Sequence, residues 1–458
     1  MKFRVERDVL AEAVAWVARE LPTRPVVPVL SGLRLEAHED GLTLSCFDYE
    51  VSACAQVSAE VQETGTALVP GRLLAEITRS LPAAAAEVTS AAGLVMLTCG
   101  SAEFALVSLP LEDYPELPQL PAVAGTVDGG VLATAAAQVV PAASRDDTLP
   151  MLTGVRLDMD GDALTLVATD RYRLAVRTVD WQPAASADPA DLAEPGGPAD
   201  PAESAESADA AQSAGPGIRA AALVPARTLA DVARTMGPGR PVTIALGRGG
   251  GDGTRPADGM ISFEGGGRRL TARLIGGEFI RYESRFPAGF GASAELPAAQ
   301  FTEAVRRVSL VAERATPVQL AFRQGSVVIE ARSDGRARAV ETVPAEFEGA
   351  DQVISFSPHY LLDGLTAAAL SEQGRPPADA EQTQAGGRIR LQFTSPAKPA
   401  LITWIPAEAQ REPRDRNEAA ADPARSPHGS SPRRIPAADS PPAFRYLVVA
   451  LRVPPVAT

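Results

Sequence analysis

One sequence pattern occurs three times along this chain of 458 residues. The first copy reads LSGLRLEAHEDGLTLSCFDYEVSACAQV (Leu30–Val57), and the second reads LTGVRLDMDGDALTLVATDRYRLAVRTV (Leu152–Val179). A more divergent third copy reads PVQLAFRQGSVVIEARSDGRARAVETV (Pro317–Val343). A second signature follows each copy: LVPGRLLAEI from Leu68, LVPARTLADV from Leu223 and ISFSPHYLLDGL from Ile354. Because such a repeat marks a recurring structural module, the sequence predicts three copies of one domain.

The composition is that of a globular protein. Hydrophobic residues make up 45% of the chain and charged residues 22%, and no apolar run is long enough to span a bilayer. The N-terminal MKFRVERDVL lacks the apolar core of a signal peptide. The three cysteines, Cys46, Cys54 and Cys99, lack metal-ligand spacing and are expected to be reduced, buried small hydrophobes. We therefore expect a cytoplasmic protein without membrane contact.

Half of the net charge of −14 comes from one segment. Between Gln182 and Gly217 the chain is rich in Ala, Pro, Ser and Gly and carries seven acidic residues but no basic one. Such a segment cannot bury enough apolar surface to offset its ordering entropy, which predicts a disordered insertion. Two more low-complexity stretches, 371–387 and 407–443, are predicted insertions between strands. Setting the three insertions aside predicts domains over 1–122, 126–288 and 292–458.

Each domain is predicted to be a tandem pair of β-α-β-β-β half-units. In the first half-unit the strands are expected at Lys2–Val5, Gly32–Ala37, Leu42–Cys46 and Val51–Ala59, with a helix over Asp8–Glu20. The second half-unit has a strand at Thr66–Val69, a helix over Gly71–Ser80 and strands near Ala86–Thr89, Leu94–Thr98 and Glu103–Val107. The predicted fold class is α+β, with antiparallel sheets and the helices on one face.

Arginines recur at equal spacing in the helix of the second signature. Arg72 and Arg79 lie seven residues apart, as do Arg227 and Arg234, so each pair shares one helix face. The third copy has His359 and Thr366 there. The arginines could pair with neighbouring Glu76 and Asp231 on a solvated face. The repetition favours instead a surface for an anionic, regularly spaced partner.

Four segments give the chain a resemblance to a known family. MKFRVERDVL, RPVVPVLSGL around Arg24, VATDRYRLAV from Val167 and the terminal FRYLVVALRV resemble the β subunit of bacterial DNA polymerase III, the sliding clamp. The resemblance covers nearly all of the chain outside the insertions. It implies three domains per subunit and a head-to-tail homodimeric ring, with helices lining the hole and sheets outside. It also implies sequence-independent binding of duplex DNA, since a clamp must slide along the DNA that it encircles.

The resemblance also implies roles for particular residues. By the resemblance, Arg24, Arg72 and Arg227 would face DNA, with Arg4 and Arg7 as further candidates, and the shared helix faces add Arg79 and Arg234 to the DNA-facing set. Ring closure is assigned to Phe104, Ser309 and Leu310, although Phe104 could equally be an ordinary core aromatic. The replicative polymerase, the clamp loader and repair proteins would insert short peptides into a pocket between domains two and three. That pocket comprises Leu152, Thr169, Arg171, Tyr172, Arg173, Leu174, Ile280, Ser284, Arg285, Tyr360, Val448, Val449, Ala450, Leu451 and Arg452.

The predicted pocket departs from the family pattern at two places. Phe279–Arg285 reads FIRYESR where the family has Phe-Pro, then Tyr-Arg and apolar residues, and Val449-Ala450 replaces Met-Pro. Val is stiffer and shorter than Met, so the predicted pocket should differ in shape from that of the family. Arg285 adds a charge. Two interpretations stay open: an ordinary housekeeping clamp, or a spare clamp whose altered pocket excludes an inhibitor. Leu174 and Leu451 could also be plain core residues.

Rival function classes find less support in the sequence. There is no phosphate-binding GxxxxGK[ST] loop, no HExxH and no GxSxG, so neither catalysis nor a metal or cofactor is predicted. The glycines of Gly247–Gly253 are typical of a hairpin loop, and Asp170 is expected to be a paired structural carboxylate. A repeat scaffold that binds only proteins is the remaining alternative.

Overall fold

The structure of the protein is a computed structural model, which describes residues 1–184, 219–236, 239–247, 259–313, 316–333, 336–372, 387–405, 435–436 and 442–451. Most of the three predicted insertions therefore lies outside the described residues. Two short segments within the predicted insertions are nevertheless described as strands. Gln182–Pro183 is a strand paired with Gly125 and Thr126, and Ile435–Pro436 is a strand paired with Gly289 and Phe290.

The described residues contain six α-helices. They are α1 Arg7–Val17, α2 Gly71–Ser80, α3 Gly129–Val139, α4 Ala226–Thr235, α5 Ala298–Ser309 and α6 Pro358–Ala369. Short 3₁₀ turns lie at Pro28–Ser31, Leu111–Asp113, Val140–Ala142, Pro150–Leu152, Glu283–Arg285 and Leu370–Glu372.

Antiparallel strands make up most of the rest of the described chain. The first ten are β1 Lys2–Val5, β2 Gly32–His38, β3 Gly41–Phe47, β4 Val51–Val57, β5 Glu60–Glu63, β6 Gly65–Pro70, β7 Ala86–Ala91, β8 Leu94–Cys99, β9 Ala102–Val107 and β10 Ala122–Asp128. The next ten are β11 Gly154–Asp160, β12 Ala163–Thr169, β13 Arg173–Asp180, β14 Gln182–Pro183, β15 Arg219–Pro225, β16 Pro241–Leu246, β17 Met260–Gly265, β18 Arg268–Arg273, β19 Gly289–Phe290 and β20 Ala292–Pro297. The last nine are β21 Val318–Arg323, β22 Ser326–Ser333, β23 Ala337–Pro344, β24 Glu346–Glu348, β25 Gln352–Phe356, β26 Arg388–Phe393, β27 Ala400–Ile405, β28 Ile435–Pro436 and β29 Phe444–Val448.

The chain divides into two compact units. The first unit comprises residues 1–130, 158–162 and 180–275. It contains a sheet in the order β5-β1-β7-β8-β9 and a larger sheet in the order β14-β10-β16-β17-β18-β4-β3-β2-β6. The α+β class with mostly antiparallel sheets is confirmed.

The second unit comprises residues 131–157, 163–179 and 276–458. Its strands include the series β12-β13-β29-β27-β26-β20-β24, the pair β19-β28 and the sheet β23-β22-β21-β25. Gln138 of α3 is completely buried, and its side-chain amide donates to the Ala367 carbonyl oxygen at 2.9 Å and to Ser371 Oγ at 2.8 Å. Buried amides need such partners, so this contact fixes α3 against the end of α6.

Apolar side chains of helices and strands form the cores. Leu10, Val14 and Val17 on α1 lie four and three residues apart and are buried, as their helical spacing predicts. The predicted helix Asp8–Glu20 was nonetheless too long. After Val17 the amides of Arg19 and Glu20 bond carbonyls three residues back, a tighter turn that precedes Pro22. The first half-unit also contains the unpredicted β5, whose EVQE sequence has no apolar run but pairs with β1.

Candidate functional site

The turn Thr169–Arg173 between β12 and β13 is held by its own side chains. Asp170 Oδ1 accepts hydrogen bonds from the amides of Tyr172 at 2.9 Å and Arg173 at 3.0 Å. Thr169 Oγ1 donates to the Arg173 carbonyl oxygen at 2.6 Å. Arg171 adopts a left-handed φ of 78°, which a non-glycine residue accepts only when its surroundings hold it. The turn therefore exposes Arg171 and Tyr172 to solvent in a fixed conformation.

The Arg173 side chain connects this turn to α6. Its Nε donates to Asp170 Oδ2 at 3.0 Å, and its Nη1 bonds Asp363 of α6. The guanidinium lies 4.7 Å from the centre of the Tyr360 ring, and Tyr172 stacks on the same ring at 5.8 Å with an interplanar angle of 13°. A partly desolvated cation over an aromatic ring is worth about 1–2 kcal/mol. Arg173 is thus a positioning residue that holds the two tyrosines together.

The C-terminal strand completes the surface beside the turn. β29 pairs with β13 in the register Arg173↔Val448 and Leu174↔Leu447. The Val449 amide donates to the Tyr172 carbonyl oxygen at 2.9 Å, and the Leu451 amide donates to the Ser355 carbonyl oxygen at 2.8 Å. Backbone bonds therefore place the tail next to both the turn and β25. Arg452, predicted as part of this site, lies outside the described residues.

The segment 279–286 lies near the same strand. Phe279 and Tyr282 are buried, Ile280 is half-buried, and Ser284 and Arg285 are exposed. The Arg445 guanidinium of β29 lies 4.3 Å from the centre of the Phe286 ring, and burial lowers the pKa of Arg445. The charge of Arg285 therefore stays solvated, while a second arginine, which sequence reasoning missed, is partly buried in this region.

The predicted pocket residues separate by exposure into three groups. The buried residues are Leu152, Thr169, Leu174, Val448 and Ala450. Leu174 is therefore a core residue in this structure. Leu451 is 37% exposed and Tyr172 50% exposed, so both offer apolar surface to a ligand. Arg173, Tyr360, Ile280 and Val449 are intermediate.

Sequence reasoning missed several residues of this region. Asp363 lies three residues after Tyr360 on α6, and Tyr446 donates its hydroxyl proton to the Tyr360 carbonyl oxygen at 3.0 Å. The i,i+3 spacing could have indicated that Asp363 and Tyr360 share a helix face. Tyr446 is completely buried, and burial raises the pKa of its hydroxyl, so it stays a neutral donor.

All five predicted DNA-facing arginines are exposed and lie in the first unit. Arg72 Nη2 on α2 donates to the Leu21 carbonyl oxygen at 3.1 Å, whereas Arg234 on α4 forms an ion pair with Asp231. Within the described part of the chain, Arg24, Arg72, Arg79 and Arg227 form no ion pair. The ion pair of the alternative interpretation is therefore present for Arg234 and, among the described residues, absent for Arg72, Arg79 and Arg227, although all four lie on exposed helix faces.

Glu20 lies in the turn after α1, within electrostatic range of Arg227 and Asp231 on α4. Burial raises the pKa of its carboxyl, nearby Asp231 raises it further, and Arg227 opposes both. Arg72 contacts Leu21, the next residue. Two arginines at equivalent repeat positions, Arg72 and Arg227, thus approach the same short turn after α1. The corresponding residues on α6, His359 and Thr366, are also exposed, and His359 Nδ1 lies 2.9 Å from Ser357 Oγ.

The residues predicted for ring closure lie on an edge strand and at the end of a helix. Phe104 is half-buried on β9, an edge strand of the five-stranded sheet in the first unit. In the second unit, Leu310 directly follows α5 and is 82% exposed, whereas Ser309 Oγ bonds the Val305 carbonyl oxygen at 2.6 Å. β23, also in the second unit, is a further edge strand and carries exposed Val340. Apolar side chains on unpaired strands favour association.

The described residues contain neither a metal-binding cluster nor a membrane-spanning helix. No group of three or more His, Cys, Asp or Glu side chains there is arranged to hold a metal ion. No helix in that part of the chain is long and apolar enough to cross a membrane. The three cysteines are free thiols, with Cys46 and Cys99 buried and Cys54 half-buried.

Comparison with known proteins places these features in a family. Models of the DNA polymerase III beta subunit match residues 1–118 with its N-terminal domain, 126–192 with its central domain and 283–373 with its C-terminal domain. The beta sliding clamp of Streptomyces coelicolor is 48% identical over 407 residues, which span 89% of this chain and 95% of that protein. The beta sliding clamp homolog GriR of Streptomyces muensis is 41% identical over 366 residues, 80% of this chain and 88% of that protein.

A solved structure shows the same fold. The sliding clamp of Pseudomonas aeruginosa bound to griselimycin aligns with a TM-score of 0.74, covering 99% of this chain and 100% of that chain at 23% identity.

Proposed function

The chain belongs to the family of bacterial DNA polymerase III beta subunits, the sliding clamps, and from that premise we propose that it closes with a second copy around duplex DNA. In that ring it tethers the replicative polymerase, as an accessory subunit rather than an enzyme. Three clamp domains, 1–122, 126–288 and 292–458, would build each half. The helices would line the hole and the sheets would form the outside.

The observation that carries this proposal is the pair Arg72 and Arg227. Both are exposed, free of ion pairs among the described residues, and repeated at the same helix position beside one turn. Guanidinium groups held in this way can attract phosphates without reading bases, which is what a mobile clamp requires. Arg24, Arg79 and Arg234 would extend the same surface.

Partner proteins would bind on the second unit. Tyr172 and Leu451 supply exposed apolar surface, and Arg171 and Arg285 supply charges beside it. An extended peptide with an apolar anchor and a few polar groups suits such a surface. We assign to it the peptides of the polymerase, the clamp loader and repair proteins. Phe104 on one copy and Ser309 and Leu310 on the other would close the ring.

Retention on DNA tests the topological part of the proposal. The labelled dimer is loaded by its cognate loader onto nicked circular DNA, and bound protein is followed by gel filtration before and after a restriction enzyme cuts the circle. We expect retention on the circle and rapid loss once ends exist. A protein-only scaffold would bind neither form, and a conventional DNA-binding protein would be retained on both.

One alternative function has a specific observation in its favour. The chain is similar to the clamp homolog GriR and carries Val449-Ala450 at the candidate pocket, and a solved clamp from another organism binds griselimycin. An altered pocket could exclude such an inhibitor. The greater identity and coverage with the Streptomyces coelicolor clamp favour the housekeeping role. Titrating griselimycin into this protein and into a Val449→Met/Ala450→Pro variant separates the two, because equal affinities would remove the resistance hypothesis.

A further inference from the structure

The first unit contains a second copy of the turn that carries the candidate peptide surface. In the loop between β3 and β4, Asp48 Oδ1 accepts hydrogen bonds from the amides of Glu50 at 3.0 Å and Val51 at 2.8 Å. Asp170 makes the same two bonds in the second unit. Tyr49 has a left-handed φ of 74°, close to the 78° of Arg171. The two turns are equivalent in conformation as well as in the repeat.

The backbone beside each turn is equivalent too. The Arg273 amide donates to the Glu50 carbonyl oxygen at 2.8 Å, as the Val449 amide does to Tyr172 at 2.9 Å. Two residues later, the Ile275 amide donates to the Leu223 carbonyl oxygen at 2.8 Å, and the Leu451 amide donates to that of Ser355 at the same distance. The first unit therefore contains a second copy of the junction that forms the candidate peptide surface. Each junction consists of the turn, the end of the neighbouring strand and the segment that follows that strand.

The side chains at the first junction leave apolar surface uncovered. Tyr49 is 52% exposed and tilts against Phe47, with ring centres 5.4 Å apart. Thr228, third in α4, is buried at the position that Tyr360 holds in α6, so no aromatic ring covers the turn from that helix. Tyr114 is buried, and its hydroxyl accepts the Phe47 amide proton at 2.8 Å, which ties the segment 109–118 to the turn.

Exposed aliphatic residues lie on the loop that leads into the buried cluster around Tyr114. Tyr114 packs in one buried cluster with Val29 and Leu30. On the same loop, Val26 is 94% exposed and Val27 is 46% exposed. Large aliphatic side chains left in water beside this cluster favour a binding surface more strongly than isolated ones would.

The first junction is more acidic than the second. Glu50, Glu112, Asp113 and Glu116 are exposed there, and only Glu50 has an ionic partner, Arg273 at 3.5 Å, among the described residues. Around the equivalent turn of the second unit the exposed charges are mixed, with Arg171, Arg281 and Arg285 beside Glu278 and Glu283. Ligands of the two junctions should therefore differ in charge.

We propose that the first unit carries a second partner site, which takes a linear peptide whose aromatic or leucine side chain is flanked by lysine or arginine. The apolar anchor covers Tyr49 and Val27, and the basic flanks neutralise Glu112 and Asp113. The inference rests on the proposed function, because it treats the equivalent turn of the second unit as a peptide site. It adds a second ligand class, selected by the more acidic surface of the first junction.

Two fluorescein-labelled peptides test the proposal on the full chain. One is acetyl-Arg-Gln-Leu-Phe-Arg-amide, and the other replaces both arginines with glutamate. Polarisation is measured for the native protein, Tyr49→Asn, Glu112→Lys/Asp113→Lys and Tyr172→Ala. Asn tolerates a left-handed φ better than Tyr does, so Tyr49→Asn keeps the turn while removing its ring. Equal thermal midpoints of the variants verify that folding is intact.

We expect the Arg-flanked peptide to lose about tenfold in affinity with Tyr49→Asn and with the Glu112/Asp113 reversal, and to be unaffected by Tyr172→Ala. Loss of binding only with Tyr172→Ala would place the peptide on the second unit; the proposed function would stand and this inference would fall. An affinity for the Arg-flanked peptide that no variant changes would overturn this inference and leave the proposed function standing, because that function does not require an Arg-flanked ligand.

Discussion

The Arg173 guanidinium carbon lies 4.7 Å from the centre of the Tyr360 ring, and the same guanidinium bonds the carboxylates of Asp170 and Asp363. These three partners come from a turn and a helix far apart in the chain, so one side chain fixes the candidate peptide surface. Replacing it should leave the nearly buried Asp170, whose side chain is 12% exposed, without its cation.

We expect Arg173→Ala to destabilise the protein by about 1–3 kcal/mol, since a buried charged group loses its partner. Thermal unfolding followed by circular dichroism measures the effect. Arg171→Ala is the matched control, because Arg171 is exposed and forms no ion pair among the described residues. Equal midpoints for the two variants would contradict the positioning role.

Gly364 on α6 has no room for a side chain. An added Cβ would lie 2.5 Å from Tyr446 Cε1, and Tyr446 is completely buried. Gly364→Ala should therefore destabilise by about 1–3 kcal/mol through overpacking, although alanine normally favours a helix by about 1 kcal/mol. Gly276→Ala serves as control, since nothing lies within 4 Å of its added Cβ. A midpoint raised by Gly364→Ala would refute the steric argument.

Arg72→Ala and Arg227→Ala should each weaken the electrostatic attraction to duplex DNA. Removing one arginine–phosphate interaction reduces the steepness of log affinity against log salt by about one. Titration of DNA at several salt concentrations measures this slope, and Arg323→Ala, an exposed residue on β21, provides the control. Slopes unchanged in both helix variants would exclude α2 and α4 from the DNA surface.

Glu20 should make stability depend on pH. Burial and the neighbouring Asp231 raise its pKa in the folded state, so the charged form is disfavoured and stability falls as pH rises through the interval between the unfolded and folded pKa values. Glu20→Gln should accordingly raise the thermal midpoint at pH 7 and change it little at acidic pH, where the carboxyl is protonated in both states. Exposed Glu116→Gln is the control. A lowered midpoint at pH 7 would contradict this environment.

Leu310→Glu should weaken ring closure without unfolding the chain. The side chain is 82% exposed, so a charge there costs little in an isolated subunit but would be desolvated between two copies. Sedimentation velocity should show a shift to monomer at micromolar concentration. Val353→Glu, at another exposed apolar position on β25, tests whether any added charge has this effect. A dimer unaffected by Leu310→Glu would remove this residue from the interface.

Much of the local structure could be predicted from the sequence. α2 at Gly71–Ser80 and β1 at Lys2–Val5 have the predicted bounds, since periodicity and flanking Pro and Gly report on neighbouring residues. The candidate site was less accessible. Tyr172 and Arg173 were named, but Asp363, Arg445 and Tyr446 were missed, because nothing local marks a residue whose partner lies on another element.

By itself, the sequence determined the threefold repeat, the α+β class and the family, because those are recorded in periodicity and in motifs that survive divergence. Only the tertiary structure decided the partners of Arg173, one of which is 190 residues away, and the solvent exposure of Arg285. It also decided that Asp48 and Asp170 build the same turn in two units. Such contacts depend on which strands pair and in which register, and register is a property of the folded sheet rather than of either strand.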